Sequence, residues 1–250
     1  MKSAPVYINP VMTPRDNISK DLSLMLKKSL IILFYTVLVA AISATITTTY
    51  ISSRYALSPK TENNDAHRDL IQLAQGRIDD SPIKESGTLI EFFSYGCHYC
   101  ALHEENVKAL EARMPAGTRL IRLHLSLPGS GLSRYSSVFA TLTVMGIEKQ
   151  YRQQAYDAVL RQKLDISRED TRNAWLQTLG IDVAAYNRAS ASQTAKDLEK
   201  YMADVTAYYE VRATPTFIVN KKWVALQDRK FPAFADNLLS LLQHDRPLEK

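Results

Sequence analysis

Three kinds of hydrophobic pattern follow one another along the 250 residues. The first is an unbroken run, Ser29 to Ser53 (SLIILFYTVLVAAISATITTTYISS), 25 residues without a charge. About 20 apolar residues in a helix span a bilayer core, so this run is long enough to cross one. The second pattern is short and β-prone. Thr88 to Phe93 (TLIEFF) is mostly apolar, interrupted by Glu91, and lies between Gly87 and a Ser94-Tyr95-Gly96 turn, which predicts a buried strand. Arg119 to Leu127 (RLIRLHLSL) alternates and predicts a second strand. Thr216 to Asn220 (TFIVN) and Trp223 to Leu226 predict a hairpin turning at Lys221-Lys222. The third pattern is helical. His98 to Met114 predicts a helix ended by Pro115-Ala116-Gly117, and Phe234 to Leu242 a final one. Between them, Tyr135 to Tyr209 keeps an apolar spacing near 3.6 with breaks at Gly146, Asp165-Ile166-Ser167 and Gly180. Strand, helix, strand within about 40 residues predicts a βαβ crossover and a parallel pair. The expected fold class is therefore α/β: βαβ, a helical insertion at about 135–209, then a β-hairpin and a helix.

The flanks of the uncharged run orient it. Lys20, Lys27 and Lys28 precede it, whereas Arg54 and Lys60 are soon met by Glu62 and Asp65. The larger basic excess stays cytoplasmic, which places the bulk of the chain outside. Tyr35 and Tyr50 lie nearer its ends. A cleaved signal peptide is the competing reading: Leu30 to Ile42 suits its apolar region, and Ala41-Ile42-Ser43-Ala44 offers small residues for cleavage. Against cleavage stand a basic region of 28 residues and an uncharged run that continues past the cleavage point. The retained anchor is favoured, and either reading exports the remainder. The expected organisation is a cytoplasmic basic tail (1–28), a transmembrane anchor or signal sequence (29–53), a polar linker (54–64) and a single domain (65–250).

Composition narrows the function classes. With 46% apolar and 23% charged residues, 8 Gly and 10 Pro, the chain is an ordinary folded protein. Its net charge of +5 is mostly the basic tail: five of the 31 Lys and Arg lie in the first 28 residues, against two of the 26 acids. The exported part lacks the concentrated basic excess of a nucleic-acid binder. Two cysteines, Cys97 and Cys100, exclude a disulfide scaffold and a four-cysteine zinc site. Cys97, Cys100, His98 and His103 do not follow a usual zinc spacing, so no metal is expected. His103 reads as a polar residue on the exposed side of its helix and His124 as a half-buried strand residue. The aromatics Tyr135, Phe139, Trp175 and Tyr186 fit core and groove lining. No Gly-rich phosphate loop, Ser-His-Asp arrangement or paired-carboxylate motif stands out.

The remaining chemistry is C-x-x-C at a strand-to-helix junction. Cys97 falls at the helix N-terminus, where unpaired N–H groups and the macrodipole favour an anion, so its thiol pKa should be lowered. Cys100, one turn on, is close enough to close a disulfide and acts as the resolving thiol. A stabilised thiolate favours the reduced form and makes the disulfide oxidising. Glu91, in a buried strand, must be paired or protonated. Pro215 can open a strand harmlessly, its missing N–H costing nothing there.

The stretch LIEFFSYGCHYC, the helical insertion and VRATPTFIVN together resemble the DsbA family of thioredoxin-fold thiol:disulfide oxidoreductases. The likeness covers about Thr88 to Asp228 and includes Met145-Gly146-Ile147 and Leu179-Gly180-Ile181 followed by Tyr186. It implies a thioredoxin-like sheet with an inserted helical subdomain, preceded here by one N-terminal transmembrane helix. It implies catalysis by Cys97 and Cys100 with no cofactor beyond their redox-active disulfide. It makes Pro215 the cis-proline beside the active site, with Thr214 offering its backbone to a substrate peptide as an added strand. Glu91 becomes the buried acid beneath the site, with Arg122 in place of the family's usual Lys. Arg does not readily give up a proton, which leaves Glu91 as the relay, or the two as a structural ion pair. His98-Tyr99 replaces the common Pro-His between the cysteines. Tyr99, with Thr214, is closer to the isomerase and reductase relatives DsbC and DsbG.

Three readings follow. In the first, a membrane-tethered oxidase of the periplasm donates its disulfide to exported proteins with cysteines and is reoxidised by a DsbB-like quinone reductase in the inner membrane. In the second, an isomerase or reductase is kept reduced by a DsbD-like donor; residues 1–64 leave no room for a DsbC-type dimerisation domain beside the anchor. The third is an anchored assembly chaperone, disfavoured by the intact cysteine pair. The first is preferred.

Overall fold

In a computed structural model the described residues are 27–43 and 69–249. They fall in two units, within residues 1–63 and 64–250. In the first, residues 27–43 form helix α1. Among the described residues no helix is long and apolar enough to cross a membrane. The rest of the uncharged run and the expected linker lie outside them, as does nearly all of the basic tail.

The second unit is built on a five-stranded sheet, β1 (Leu70–Gln72), β2 (Thr88–Phe93), β3 (Arg119–His124), β4 (Thr216–Val219) and β5 (Trp223–Leu226), in the order β1-β5-β4-β2-β3. β2 and β3 run parallel, as the strand–helix–strand pattern predicts; the other pairs are antiparallel. β2 lies inside the sheet between β4 and β3 and buries every residue, which is why it reads as a nearly continuous apolar run. Two cores lie against the sheet. Leu89, Phe217 and Val219 pack with Val107 and Leu110 and with Phe231, Phe234 and Leu238. Ile90, Phe92 and Ile218 belong to a larger core with Phe139, Tyr156, Trp175, Met202 and other residues of the insertion.

The helices after α2 (Gln75–Asp79) refine the sequence reading. The expected helix from His98 to Met114 is two pieces, α3 (His98–Leu102) and α4 (Glu104–Ala112), separated at His103. His103 does not sit on an exposed face: it is half-buried and stacks on Phe231, ring centroids 5.1 Å apart. The insertion comprises α5 (Ser136–Val144), α6 (Glu148–Tyr156) running into a π-helical turn at Asp157–Arg161, α7 (Glu169–Thr178), α8 (Val183–Ala191) and α9 (Gln193–Tyr208); α10 (Phe231–His244) closes the fold. Two of the expected breaks share one device. Gly146 and Gly180 have φ of +73° and +70°, and the following Ile147 and Ile181 donate back to Leu142 and Leu176. This is the Schellman ending, with an apolar residue just past the glycine. It gives a physical meaning to the repeated Gly-Ile pair. Glu210 ends α9 in the same way at φ +53°, without being glycine.

Several boundaries differ from expectation, and the final helix begins at Phe231 and ends at His244 rather than running from Phe234 to Leu242. β3 stops at His124, not Leu127, because the chain then turns away, Ser126 donating to Thr206 Oγ1. The hairpin turn lies at Asn220-Lys221, which carry the two positive φ angles, rather than at Lys221-Lys222. Three-residue β1 pairs antiparallel with β5 at the sheet edge and is too short to show a period. Ser192 separates α8 from α9 and caps α9 by accepting from Ala195 N–H.

Candidate active site

The end of β2 delivers the chain into the turn Ser94-Tyr95-Gly96, closed by Cys97 N–H donating to Ser94 O at 2.9 Å. Cys97 is the N-cap of α3, and its Sγ accepts from Cys100 N–H at 3.1 Å. The two cysteines form a disulfide with Cα atoms 5.3 Å apart. Cys97 is 5% exposed and Cys100 1%, whereas Tyr99 between them is 66% exposed and His98 is also exposed. α3 is one short piece, so the polar group presented to Cys97 Sγ is this local N–H rather than the end of a long helix.

The second wall comes from the far end of the insertion. Arg212 and Ala213 lead to Thr214–Pro215, whose peptide bond is cis, and Thr214 O lies 3.4 Å from Cys97 Sγ. The Thr214 hydroxyl is buried with no hydrogen-bond partner among the described residues. Thr216 then begins β4 opposite Phe92. A residue 117 positions along the chain is thus held against the disulfide by the pairing of β4 with β2.

Inside the bridge lies a buried cluster of charge. Parallel register sets Glu91 beside Arg122, and Arg122 Nε lies 3.0 Å from Glu91 Oε2. That oxygen makes no hydrogen bond, because Arg122 Nη1 is turned to Glu104, donating to both carboxylate oxygens at 2.7 and 2.8 Å. Glu104 also accepts from Arg152, which in turn binds Glu148. Glu148 accepts from Tyr95 Oη at 2.9 Å, tying the cluster back to the turn before Cys97. Three carboxylates therefore face two guanidinium groups, and Glu104 and Glu148 hold both. Glu91 is the carboxyl left over. Burial raises its pKa from 4.5 to about 7 against the pull of Arg122, with Glu104 pushing the same way as burial. Burial and the Glu148 carboxylate likewise keep the Tyr95 phenol protonated as a donor.

The pairing of Glu91 with Arg122 was expected from the family resemblance, and the parallel register of β2 and β3 sets the two side by side. Glu104, Glu148, Arg152 and Tyr95 were not picked out. A signal existed: Glu104 takes its place in the inward stripe Cys100-Glu104-Val107, and Glu148 in Glu148-Arg152-Ala155, positions where the helical period calls for apolar residues. His124 was misplaced. It is wholly buried rather than half-buried, since β3 is covered at that end by Phe93, Tyr95 and Phe139. No group of three or more His, Cys, Asp or Glu arranged to hold a metal exists among the described residues.

Comparison with known proteins follows the same outline. Residues 88–239, more than half of the chain, match the family described as DSBA-like thioredoxin domain. The thiol:disulfide interchange protein DsbA of Yersinia pestis is 25% identical over 161 residues, covering 63% of this chain and 77% of that protein. DsbA of Pseudomonas aeruginosa is 21% identical over 174 residues, 69% of this chain and 80% of its own. Among solved structures, the oxidoreductase DsbA from Xylella fastidiosa superposes with a TM-score of 0.61 at 16% identity, over 71% of this chain and 95% of its own. DsbA from Klebsiella pneumoniae gives 0.57 at 19%, over 72% and 96%. These likenesses carry the fold: a thioredoxin-like sheet with a helical insertion.

Proposed function

The chain belongs to the family of DSBA-like thioredoxin domains, and from that premise we propose how its residues carry out the family's chemistry. It is a thiol:disulfide oxidoreductase that introduces disulfide bonds, and its redox group is the Cys97–Cys100 disulfide itself. A client thiolate attacks Cys97 Sγ, forming a mixed disulfide and expelling Cys100 as a thiolate. A second client thiol, deprotonated, then attacks the client sulfur of that bond, releasing Cys97 as a thiolate and the client as a disulfide. Two electrons pass from client to enzyme, the two client thiol protons go to solvent, and Cys97 is left as a thiolate. Cys97 leaves well because Cys100 N–H stabilises its anion. Cys100 is the more buried sulfur, so its anion needs a proton, and Glu91, with a pKa near neutrality, is the acid that supplies it. Arg122 orients Glu104 and Glu91. Thr214, its carbonyl already against Cys97 Sγ, presents the backbone edge along which a client strand docks.

The observation that carries the assignment of roles is the contrast in setting: Cys97 caps α3 and faces Thr214, while Cys100 is shut inside. Replacing Cys100 by Ser should accumulate mixed disulfides between Cys97 and exported proteins. The same adducts formed through Cys100 in a Cys97→Ser variant would reverse the roles.

The chain acts outside the cytoplasm, in the periplasm, tethered to the inner membrane through residues 29–53 with the basic tail inside. The 25-residue uncharged run and the excess of basic residues before it support this. A DsbB-like quinone reductase is the corresponding oxidant; a DsbD-like donor belongs to the opposite direction of flow, which the family match does not favour. The tether is tested by fractionation. A mature N-terminus near Thr45 in the membrane-free fraction would overturn it.

A further inference from the structure

His124 ends β3 in register with Phe93, and none of its surface reaches solvent. Both ring nitrogens are committed. Nδ1 lies 2.9 Å from Leu125 O, an acceptor only, so Nδ1 carries the proton. Nε2 is therefore the bare nitrogen, and it accepts the backbone N–H of Tyr95 at 3.2 Å. Tyr95 stands two residues before Cys97, in the turn that the active-site sulfur follows. We propose that His124 is a positioning residue for Cys97: by holding Tyr95 N–H it fixes the turn that sets Cys97 Sγ between Cys100 N–H and Thr214 O. The inference rests on Cys97 being the exchanging sulfur.

The surroundings fit that role. The rings of Phe93, Tyr95 and Phe139 lie 5.4, 5.5 and 6.1 Å from the imidazole, and the Tyr95 hydroxyl is directed away to Glu148. Burial among them lowers the His124 pKa to about 4, which keeps Nε2 an acceptor at neutral pH. Ser94 is held independently, its hydroxyl donating to Leu132 O and accepting Gly96 N–H. Tyr95 N–H reaches across to β3, whereas Gly96 and Cys97 N–H are held within the turn by Ser94. Without an acceptor there, a buried N–H is unpaired and the turn must move to satisfy it.

The test compares three reduced full-length proteins: the parent, His124→Phe and His124→Gln. Phenylalanine keeps a ring and removes the acceptor; the glutamine amide oxygen reaches about where Nε2 sits. Thiolate absorbance against pH reads the Cys97 pKa. His124→Phe should raise it by about one unit, with a roughly tenfold slower reaction with oxidised glutathione below that pKa, and His124→Gln should restore both. An acidic parent thiol left unchanged in folded His124→Phe, or a glutamine variant shifted as far as the phenylalanine one, overturns the proposal. A parent thiol titrating at the ordinary cysteine value overturns the assignment of Cys97 and this proposal with it. Should His124→Phe not fold, the parent's imidazole nitrogen resonances decide. Nε2 should shift as Cys97 titrates, and an unmoved resonance counts against the role.

Discussion

On its outer side the Cys97–Cys100 bridge meets exposed His98 and Tyr99 and the backbone of Thr214; on its inner side lie three buried carboxylates and two partly buried guanidinium groups. The outer side works through backbone groups, one N–H and one carbonyl, which any side chain in the same fold would present. The inner side works through charge, where each group depends on its neighbours. A change outside should therefore alter tuning and leave stability nearly untouched, while a change inside should alter both. The two sides are joined at Tyr95, whose N–H and hydroxyl are held by His124 and Glu148.

The largest expected effect tests that contrast directly. Arg152→Ala strips Glu148 and Glu104 of a shared partner and removes the cation over the Phe93 ring. Breaking a buried pair in this way should cost about 3–5 kcal/mol of unfolding free energy. Tyr99→Ala, on the exposed side, should change it by less than about 0.5 kcal/mol. Equal losses in denaturant titration would break the comparison.

Next comes Glu91. Its folded pKa of about 7 stands above the ordinary 4.5, so the folded state holds this proton more tightly than the unfolded chain. The group favours folding fully below pH 4.5, and that contribution is lost as pH rises toward 7. Glu91→Gln lacks the titration. It should be more stable than the parent above pH 7 by roughly 3 kcal/mol, with the difference shrinking toward pH 4.5. A difference independent of pH would show that Glu91 is a structural half of an ion pair and not the proton carrier.

Smaller still is the effect of the intervening dipeptide. Neither His98 nor Tyr99 is held against Cys97 by a hydrogen bond, and Tyr99 carries no charge to add to the Cys100 N–H. Replacing His98→Pro and Tyr99→His together should make the disulfide more oxidising by about 30 mV, equivalent to about 1.4 kcal/mol. No change would shift the tuning to Thr214-Pro215. Smallest is Glu210, which occupies a left-handed position where α5 and α7 use glycine. Its ion pair with Arg77 is long and exposed, at 3.8 Å. Glu210→Gly should add roughly 0.5–1 kcal/mol of stability and leave exchange activity unchanged.

The sequence was most readable where one residue type has one physical use. C-x-x-C after a strand, the apolar run of β2, and glycine as a break between helices each had a single sensible structural meaning. Thr214-Pro215 and the Glu91–Arg122 neighbourhood came from family likeness alone. What stayed hidden depends on long-range pairing. Nothing local says that Glu104 would share Arg122 with Glu91, since the third and fourth partners arrive from α4 and α6. His124 looked half-buried because the alternation of β3 suggests one wet face, and the insertion that covers it lies later in the chain. The break at His103 was hidden because no Gly or Pro lies between His98 and Met114 to mark it.

The central claim is that Cys97–Cys100 is an oxidising disulfide, made so by a thiolate stabilised at the head of α3. Its reduction potential, measured by equilibrating the full chain with glutathione buffers, tests that most directly. With the local N–H present and no charged residue before Cys100, the potential should fall between about −120 mV, the strongly oxidising DsbA value, and about −270 mV, that of thioredoxin. A potential at or below about −270 mV would contradict the account, because such a pair gives electrons to its clients rather than taking them.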